Sequence, residues 1–261
     1  MVYGVLGKHP STLWPPLVSL QTLQVTDMST QTYSGYDGGR QCRVSVMKNT
    51  NNQLPSNINS FWDGRYINNT DDGLSWSEDS NSLSLRWISE LVPKTSSIVD
   101  IGAGRSMLLP TLFSNGYKDL THVEWSQSAS LEMQTNLGEQ SSQINWFVGD
   151  LLNWRPDRPV DLWHDRAVFH FLIDFGSVNN YLKSLHQCVI HGGHILLATF
   201  HLDGPEKCSG LPVKRYDSEL ILSTLNSYQS SNWVEVKSVT WVHKTPSGGK
   251  QKFQYLLAQR H

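Results

Sequence analysis

The chain has 261 residues, 38% of them hydrophobic, with 21 Lys and Arg against 23 Asp and Glu for a net charge of −2. That is enough apolar material for one sizeable core with an appendage, and the scattered basic residues offer no surface for nucleic acid. Three widely spaced cysteines, Cys42, Cys188 and Cys208, exclude a disulfide framework and fit a reducing, cytoplasmic setting. No apolar run nears the ~20 residues of a membrane helix. The first residues, with one lysine ahead of Pro10, Pro15 and Pro16, do not read as a secretory signal.

Residues 1–58 are rich in Ser, Thr, Asn, Gln and Gly and read as a polar, flexible or loosely docked leader with one strand over Cys42–Met47. The domain proper is expected over residues 59–261. Its opening stretch, Phe61-Trp-Asp-Gly-Arg-Tyr66, sets Trp62 and Tyr66 on one helical face. Leu74-Ser-Trp76 follows, then an amphipathic helix over Ser82–Leu91 that ends before Pro93.

The stretch Ser97-Ile-Val-Asp-Ile-Gly-Ala-Gly-Arg-Ser106 then reads as a strand, a tight turn at Gly102 and Gly104, and a helix through Met107–Phe113. Glycine at the turn lets backbone pass close to a ligand. A dinucleotide-binding turn wants a third small residue where Met107 stands. Asp100, two positions before the glycine pair, suits an amino-acid-bearing cation better than a pyrophosphate.

A second strand, Leu120–Glu124, ends in an acid about twenty residues past the turn, where a carboxylate accepts from both ribose hydroxyls. A helix over Ser126–Leu137, a strand over Gln143–Val148 and the turn Gly149-Asp150-Leu151 follow. The next strand, from Val160 to about Trp163, carries His164, Asp165 and Arg166 at its carboxyl end, where open α/β sheets bind ligands. His164 reads as a general base, Asp165 as its orienting partner or a cofactor ligand, and Arg166 as a clamp for an acidic acceptor. The competing reading is an Asp165–Arg166 structural network with His164 packed beside the sheet. His170, on an apolar helix over Ala167–Leu172, reads as a core histidine.

A helix over Val178–Cys188, a turn at His191-Gly-Gly-His194 and a strand over Ile195–Phe200 come next. His191 and His194 precede that strand and His201 follows it, so no shared metal site is expected. The polar loop from His201 to Pro212 offers His201, Lys207 and Cys208 as acceptor contacts. A helix near Asp217–Leu225 precedes two strands, Trp233–Val242 and Gln251–Gln259, joined as a hairpin through Pro246-Ser-Gly-Gly249.

From Phe61 to Ala258 the chain resembles the class I S-adenosylmethionine-dependent methyltransferases, in particular small soluble ones of bacterial type. Asp100, Gly102 and Gly104, then Glu124 and Asp150, carry the resemblance; Ser106 stands where a third glycine is frequent. It implies a seven-stranded Rossmann-like α/β sheet with helices on both faces and a C-terminal antiparallel hairpin. It also implies S-adenosylmethionine as cofactor, its methionine part against Asp100, Gly102, Ala103 and Gly104, with His164 in the same set. The ribose would lie on Glu124 beside Trp125, and the adenine amino group on Asp150 beside Leu151.

In several groups of that family a similar Trp-Asp-x-x-Tyr helix and a Trp-bearing loop fold over the cleft, which implies Trp62, Tyr66 and Trp76 as acceptor contacts alongside His201 of the later loop; the competing reading has Trp62 and Tyr66 covering the sheet edge. The Asp/Asn-Pro-Pro-Tyr motif of methylases acting on nucleobase amino groups and glutamine is absent. The implied reaction is in-line methyl transfer to a nucleophilic heteroatom. A small-molecule acceptor is the first expectation. A protein lysine is the second, since the Trp62–Tyr66 stretch resembles elongation-factor lysine methyltransferases. A cofactor-binding partner without activity is a third. A dehydrogenase conflicts with Met107 and Asp100. Neither a metal, a nucleic acid nor a membrane is expected as partner.

Overall fold

The computed structural model describes residues 30–37, 40–47, 57–70, 73–75 and 82–261. The chain divides into two units, Met1–Asn51 and Asn52–His261. In the first, β1 (Thr30–Asp37) pairs antiparallel with β2 (Arg40–Met47), which contains the strand expected at Cys42–Met47.

The second unit opens with α1 (Ile58–Ile67), started by Asn57, whose side chain accepts from Ser60 N. Helix α2 (Leu83–Leu91) is capped in the same way by Ser82. There follow β3 (Ser97–Ile101), α3 (Leu108–Ser114), β4 (Asp119–Glu124), α4 (Gln127–Leu137, capped by Ser126), β5 (Asn145–Val148) and β6 (Val160–Arg166). Helix α5 (Phe175–Cys188), capped by Asp174, leads into β7 (Val189–Phe200). A short pair, β8 (Lys207–Cys208) and β9 (Leu211–Pro212), precedes α6 (Ser218–Asn226, capped by Asp217), β10 (Trp233–Lys244) and β11 (Lys250–Arg260). No helix among the described residues is long and apolar enough to cross a membrane.

The seven-stranded sheet has the order β10-β11-β7-β6-β3-β4-β5. Strands β5, β4, β3, β6 and β7 run parallel, and the hairpin adds two antiparallel strands, β11 against β7 and β10 outermost. This is the expected architecture. Central β3 is buried on both faces, which is why Ile98, Val99 and Ile101 read as a continuous apolar run. The pleat divides the core. Ile98, Leu162, Leu196 and Tyr255 pack with Trp87, Ile88, Leu109 and Leu112 of α2 and α3. Val99, Trp163, Leu197 and Leu256 pack with Tyr181, Leu185, Ile221 and Leu225 of α5 and α6. The chain leaves β3 for β4 on one side, and β6 takes the other. That reversal opens a crevice over their carboxyl ends.

Three local expectations are corrected. Strand β6 runs to Arg166 rather than Trp163, because Ile101 still pairs with Asp165 and Ala198 with Arg166 on its two sides. The glycine pair at 192–193 is no turn between elements. Val160 pairs with Val189 while Leu162 already pairs with His194, so the residues between bulge out within one continuous β7. The helix expected at Ala167–Leu172 is a single 3-10 turn, Phe169–Phe171, entered through Ala167 at φ 68°.

Helix α1 is latched to the start of α4. Asp63 Oδ1 accepts from Ser126 Oγ (2.7 Å), Ser128 N (3.0 Å) and Ser128 Oγ (2.9 Å). Burial pushes this carboxyl up, but the bonds from Ser128 and Ser126 outweigh it and hold its pKa below 3.8. Its contribution is therefore present above that value and lost as pH falls through the lower folded one. Asp63→Ala is expected to cost about 1–2 kcal/mol in urea unfolding at pH 7, the difference from wild type shrinking as the titration is repeated toward pH 3.

Candidate active site

The turn after β3 is left-handed at Gly102 (φ 63°) and Gly104 (φ 51°), a conformation in which a side chain is strained. Space forbids one as well. A Cβ on Gly102 would lie 2.2 Å from Val168 Cγ2, and one on Gly104 would lie 2.1 Å from the Tyr66 hydroxyl oxygen. Gly102 N and Ala103 N both donate to Val123 O, at 2.8 and 3.2 Å. Gly104 N donates to Glu124 Oε2 (2.8 Å), and Ser126 N to Glu124 Oε1 (2.8 Å). Burial pushes the Glu124 carboxyl up to about 7, against those backbone bonds.

Asp100 lies at the end of β3, opposite His164 of β6 in register, so both side chains share one face. Asp100 Oδ1 is 2.6 Å from His164 Nδ1, and His164 Nε2 is 2.9 Å from Ser84 Oγ of α2. Both imidazole nitrogens are thus engaged inside the protein. Asp100 Oδ2 is buried and has no hydrogen-bond partner among the described residues.

Asp165 points to the other face. Its carboxylate accepts from Val168 N (3.0 Å), Phe169 N (3.2 Å) and Tyr181 OH (2.7 Å), starting the 3-10 turn, and burial pushes its pKa up to about 6. The pleat therefore separates His164 from Asp165, which does not orient it. Arg166 returns to the His164 face, donates from Nε to Tyr255 OH (3.0 Å) and stands 4.7 Å over the Phe253 ring. His170 is fully buried with Nδ1 accepting from Phe200 N (3.4 Å); burial pushes its pKa down to about 3, so the ring is neutral.

A cleft of about 830 Å³, measured to its open mouth, runs over these strand ends. Trp62 and Tyr66 of α1 wall one side, Glu124 and Trp125 the floor after β4, and Gly149, Leu151 and Leu152 the end after β5. Arg166, Ala167, Val168, Phe171 and Leu172 form the opposite wall, and Cys208 of β8 closes it. Trp62 meets Phe171 edge-on at 5.4 Å. The Cys208 thiol is buried and pushed up to about 11.

Of the residues expected at a site, Trp62, Tyr66, Gly102, Glu124, Trp125, Leu151 and Arg166 line the cleft. Ala103 is buried in the turn beneath it. Asp150 is the N-cap of a 3-10 turn, accepting from Leu152 N (2.9 Å). His164 and Asp165 are not among the lining residues. Neither is His201, whose Nδ1 accepts from Asp203 N at 3.1 Å. Trp76 lies outside the described residues. Sequence reasoning missed Val168, Phe171 and Leu172, because the run read as a helix; no sequence signal marks Ala167 as left-handed.

No family model matches the chain. Over 146 residues it is 32% identical to EEF1A lysine methyltransferase 2 of Danio rerio, a match covering 51% of this chain and 62% of that protein. The curated relatives it matches are spanned over 42% to 65% of their length. Among solved structures, 1,6-didemethyltoxoflavin-N1-methyltransferase of Burkholderia thailandensis, with 1,6-didemethyltoxoflavin and S-adenosylhomocysteine bound, superposes with TM-score 0.60 at 15% identity. That match covers 87% of this chain and 98% of the other. The N-methyltransferase NodS of Bradyrhizobium japonicum, in complex with S-adenosylhomocysteine, gives 0.56 at 15% identity over 77% of this chain and 98% of its own.

Removing one partner of a buried hydrogen-bonded pair leaves the other's polar atoms unsatisfied. His164→Ala is expected to cost about 3 kcal/mol in urea unfolding, and Ser84→Ala about 1 kcal/mol. A His164 variant with wild-type stability would refute the buried linkage.

Proposed function

We propose that this chain, which has the class I S-adenosylmethionine-dependent methyltransferase fold, binds that cofactor over β3 and β4 and methylates a heteroatom of a small molecule. Three features fit the cofactor. The buried, unpartnered Asp100 Oδ2 is an acceptor for a donor the described residues do not supply. The glycine turn leaves no room for a side chain. The Glu124 carboxylate lines the cleft with capacity for hydroxyl donors beyond its two backbone bonds. When bound, the cofactor supplies a methyl group already activated on a sulfonium.

The chain's own task is alignment and exclusion of water. Trp62, Trp125 and Phe171 desolvate the cleft, and holding the reactants in line lowers the barrier without a strong base. His164 serves here as a brace for Asp100 rather than as a base, with both ring nitrogens occupied.

The observation that carries the small-molecule reading is the covered, aromatic cleft. Arg65 of α1 donates from Nη2 to Ser209 O (2.5 Å), joining the α1 wall to the β8–β9 hairpin beside Cys208. A second reading, transfer to a protein lysine, is favoured by the 32% identity to EEF1A lysine methyltransferase 2.

Calorimetric titration with S-adenosylmethionine, S-adenosylhomocysteine and NADH tests the cofactor; binding of the first two alone is the expected result. Radiolabelled methyl transfer into the small-molecule rather than the protein fraction of an extract then separates the two acceptor classes. Since Glu124 holds its proton up to about pH 7 and a ribose diol needs the ionised acceptor, S-adenosylhomocysteine affinity should rise between pH 6 and 8. Glu124→Gln should abolish that rise. Gly104→Ala, forced against Tyr66, is expected to weaken binding at least tenfold.

A further inference from the structure

We infer that His122 of β4, which the site as described does not use, is a positioning residue that holds the carbonyl half of the cofactor turn. The inference rests on the cofactor reading above. Alternation along β4 puts His122 and Glu124 on the same face. Glu124 accepts from Gly104 N, and His122 Nε2 lies 3.1 Å from Gly104 O. Successive β4 residues thus grip the turn in order: His122 the carbonyl of Gly104, Val123 O the amides of Gly102 and Ala103, Glu124 the amide of Gly104.

A carbonyl only accepts, so His122 Nε2 carries the proton. Burial holds the ring below the usual histidine range, and it is neutral. Its other nitrogen, Nδ1, is then a bare acceptor, buried with no partner among the described residues. The ring is 3% exposed and lies 4.5 Å from the Trp146 ring. A leucine would fill that space without leaving a buried nitrogen unsatisfied, which costs stability wherever it occurs. The histidine's return is its single bond to Gly104. Glycine in a left-handed turn has the most backbone freedom to lose, and bonds to both the amide and the carbonyl of Gly104 offset that loss.

The test compares His122→Leu with His122→Gln, whose amide nitrogen reaches as far as Nε2, and His122→Asn, whose amide stops short. Three readouts are taken: thermal unfolding, amide hydrogen exchange of residues 102–106 without cofactor, and S-adenosylhomocysteine affinity. The leucine variant should melt no lower than wild type, exchange faster across the turn and bind about tenfold more weakly. Glutamine should restore exchange and affinity; asparagine should not, and this pair decides if leucine fails to fold. Wild-type exchange and affinity in a folded leucine or asparagine variant would overturn the assignment. A wild-type protein that binds no S-adenosylhomocysteine would remove the cofactor reading, while exchange alone would still decide whether His122 holds the turn.

Discussion

Two residues of left-handed backbone, Gly102 and Gly104, sit on the end of β3 with both their amides and the Gly104 carbonyl bonded to β4. Two walls of the cleft close against them. Because neither has a Cβ, Tyr66 of α1 reaches the turn from one side and Val168 from the other. Helix α1 then stays where Asp63 ties it to α4 and where Arg105 donates to the carbonyls of Tyr66 (2.6 Å) and Asn69 (2.8 Å). A side chain at Gly104 would press on Tyr66 of α1, and one at Gly102 on Val168 after β6.

The same strand ends carry an unusual load of buried ionisable groups, and the pleat sorts them. Asp100, His122 and His164 stand side by side on one face, in register across β4, β3 and β6. Asp165 faces the other way, hydrogen-bonded by two backbone amides and Tyr181. Their pH effects oppose one another. Glu124 and Asp165 have raised pKa values, so the folded state binds their protons more tightly and stability falls as pH rises toward about 7 and about 6. His170, lowered to about 3, works in reverse, losing stability as pH falls below 6.5.

Asp100, Gly102, Gly104 and Glu124 were legible because a strand, a tight turn and the next strand fix their spacing along one stretch of chain. The hairpin was legible from two alternating runs around Pro246-Ser-Gly-Gly249, and α5 and α6 from their periodicity. What was not legible depends on neighbours in space. Nothing local tells that β6 continues to Arg166; the ladders to Ile101 and Ala198 do that. Once it continues, alternation alone parts His164 from Asp165, so a cluster adjacent in sequence becomes two separate structural devices. Ala167 adopts a conformation more often given to glycine, and in place of the expected core helix stands a short 3-10 turn, with Phe171 and Leu172 lining the cleft.

The two ends of the cleft therefore differ in origin. One rests on β3 and β4, whose buried faces and ladders leave little freedom, and there the sequence pattern and the geometry agree. The other is assembled from α1, the turn after β6 and the β8–β9 hairpin, elements joined by side-chain bonds such as Arg65 to Ser209 and by the Trp62–Phe171 contact. Loops and lids of this kind change without disturbing the sheet. On the function proposed above, specificity for the acceptor belongs at that end, in Trp62, Phe171 and Cys208, while the turn at Gly104 stays bonded to Glu124 of β4.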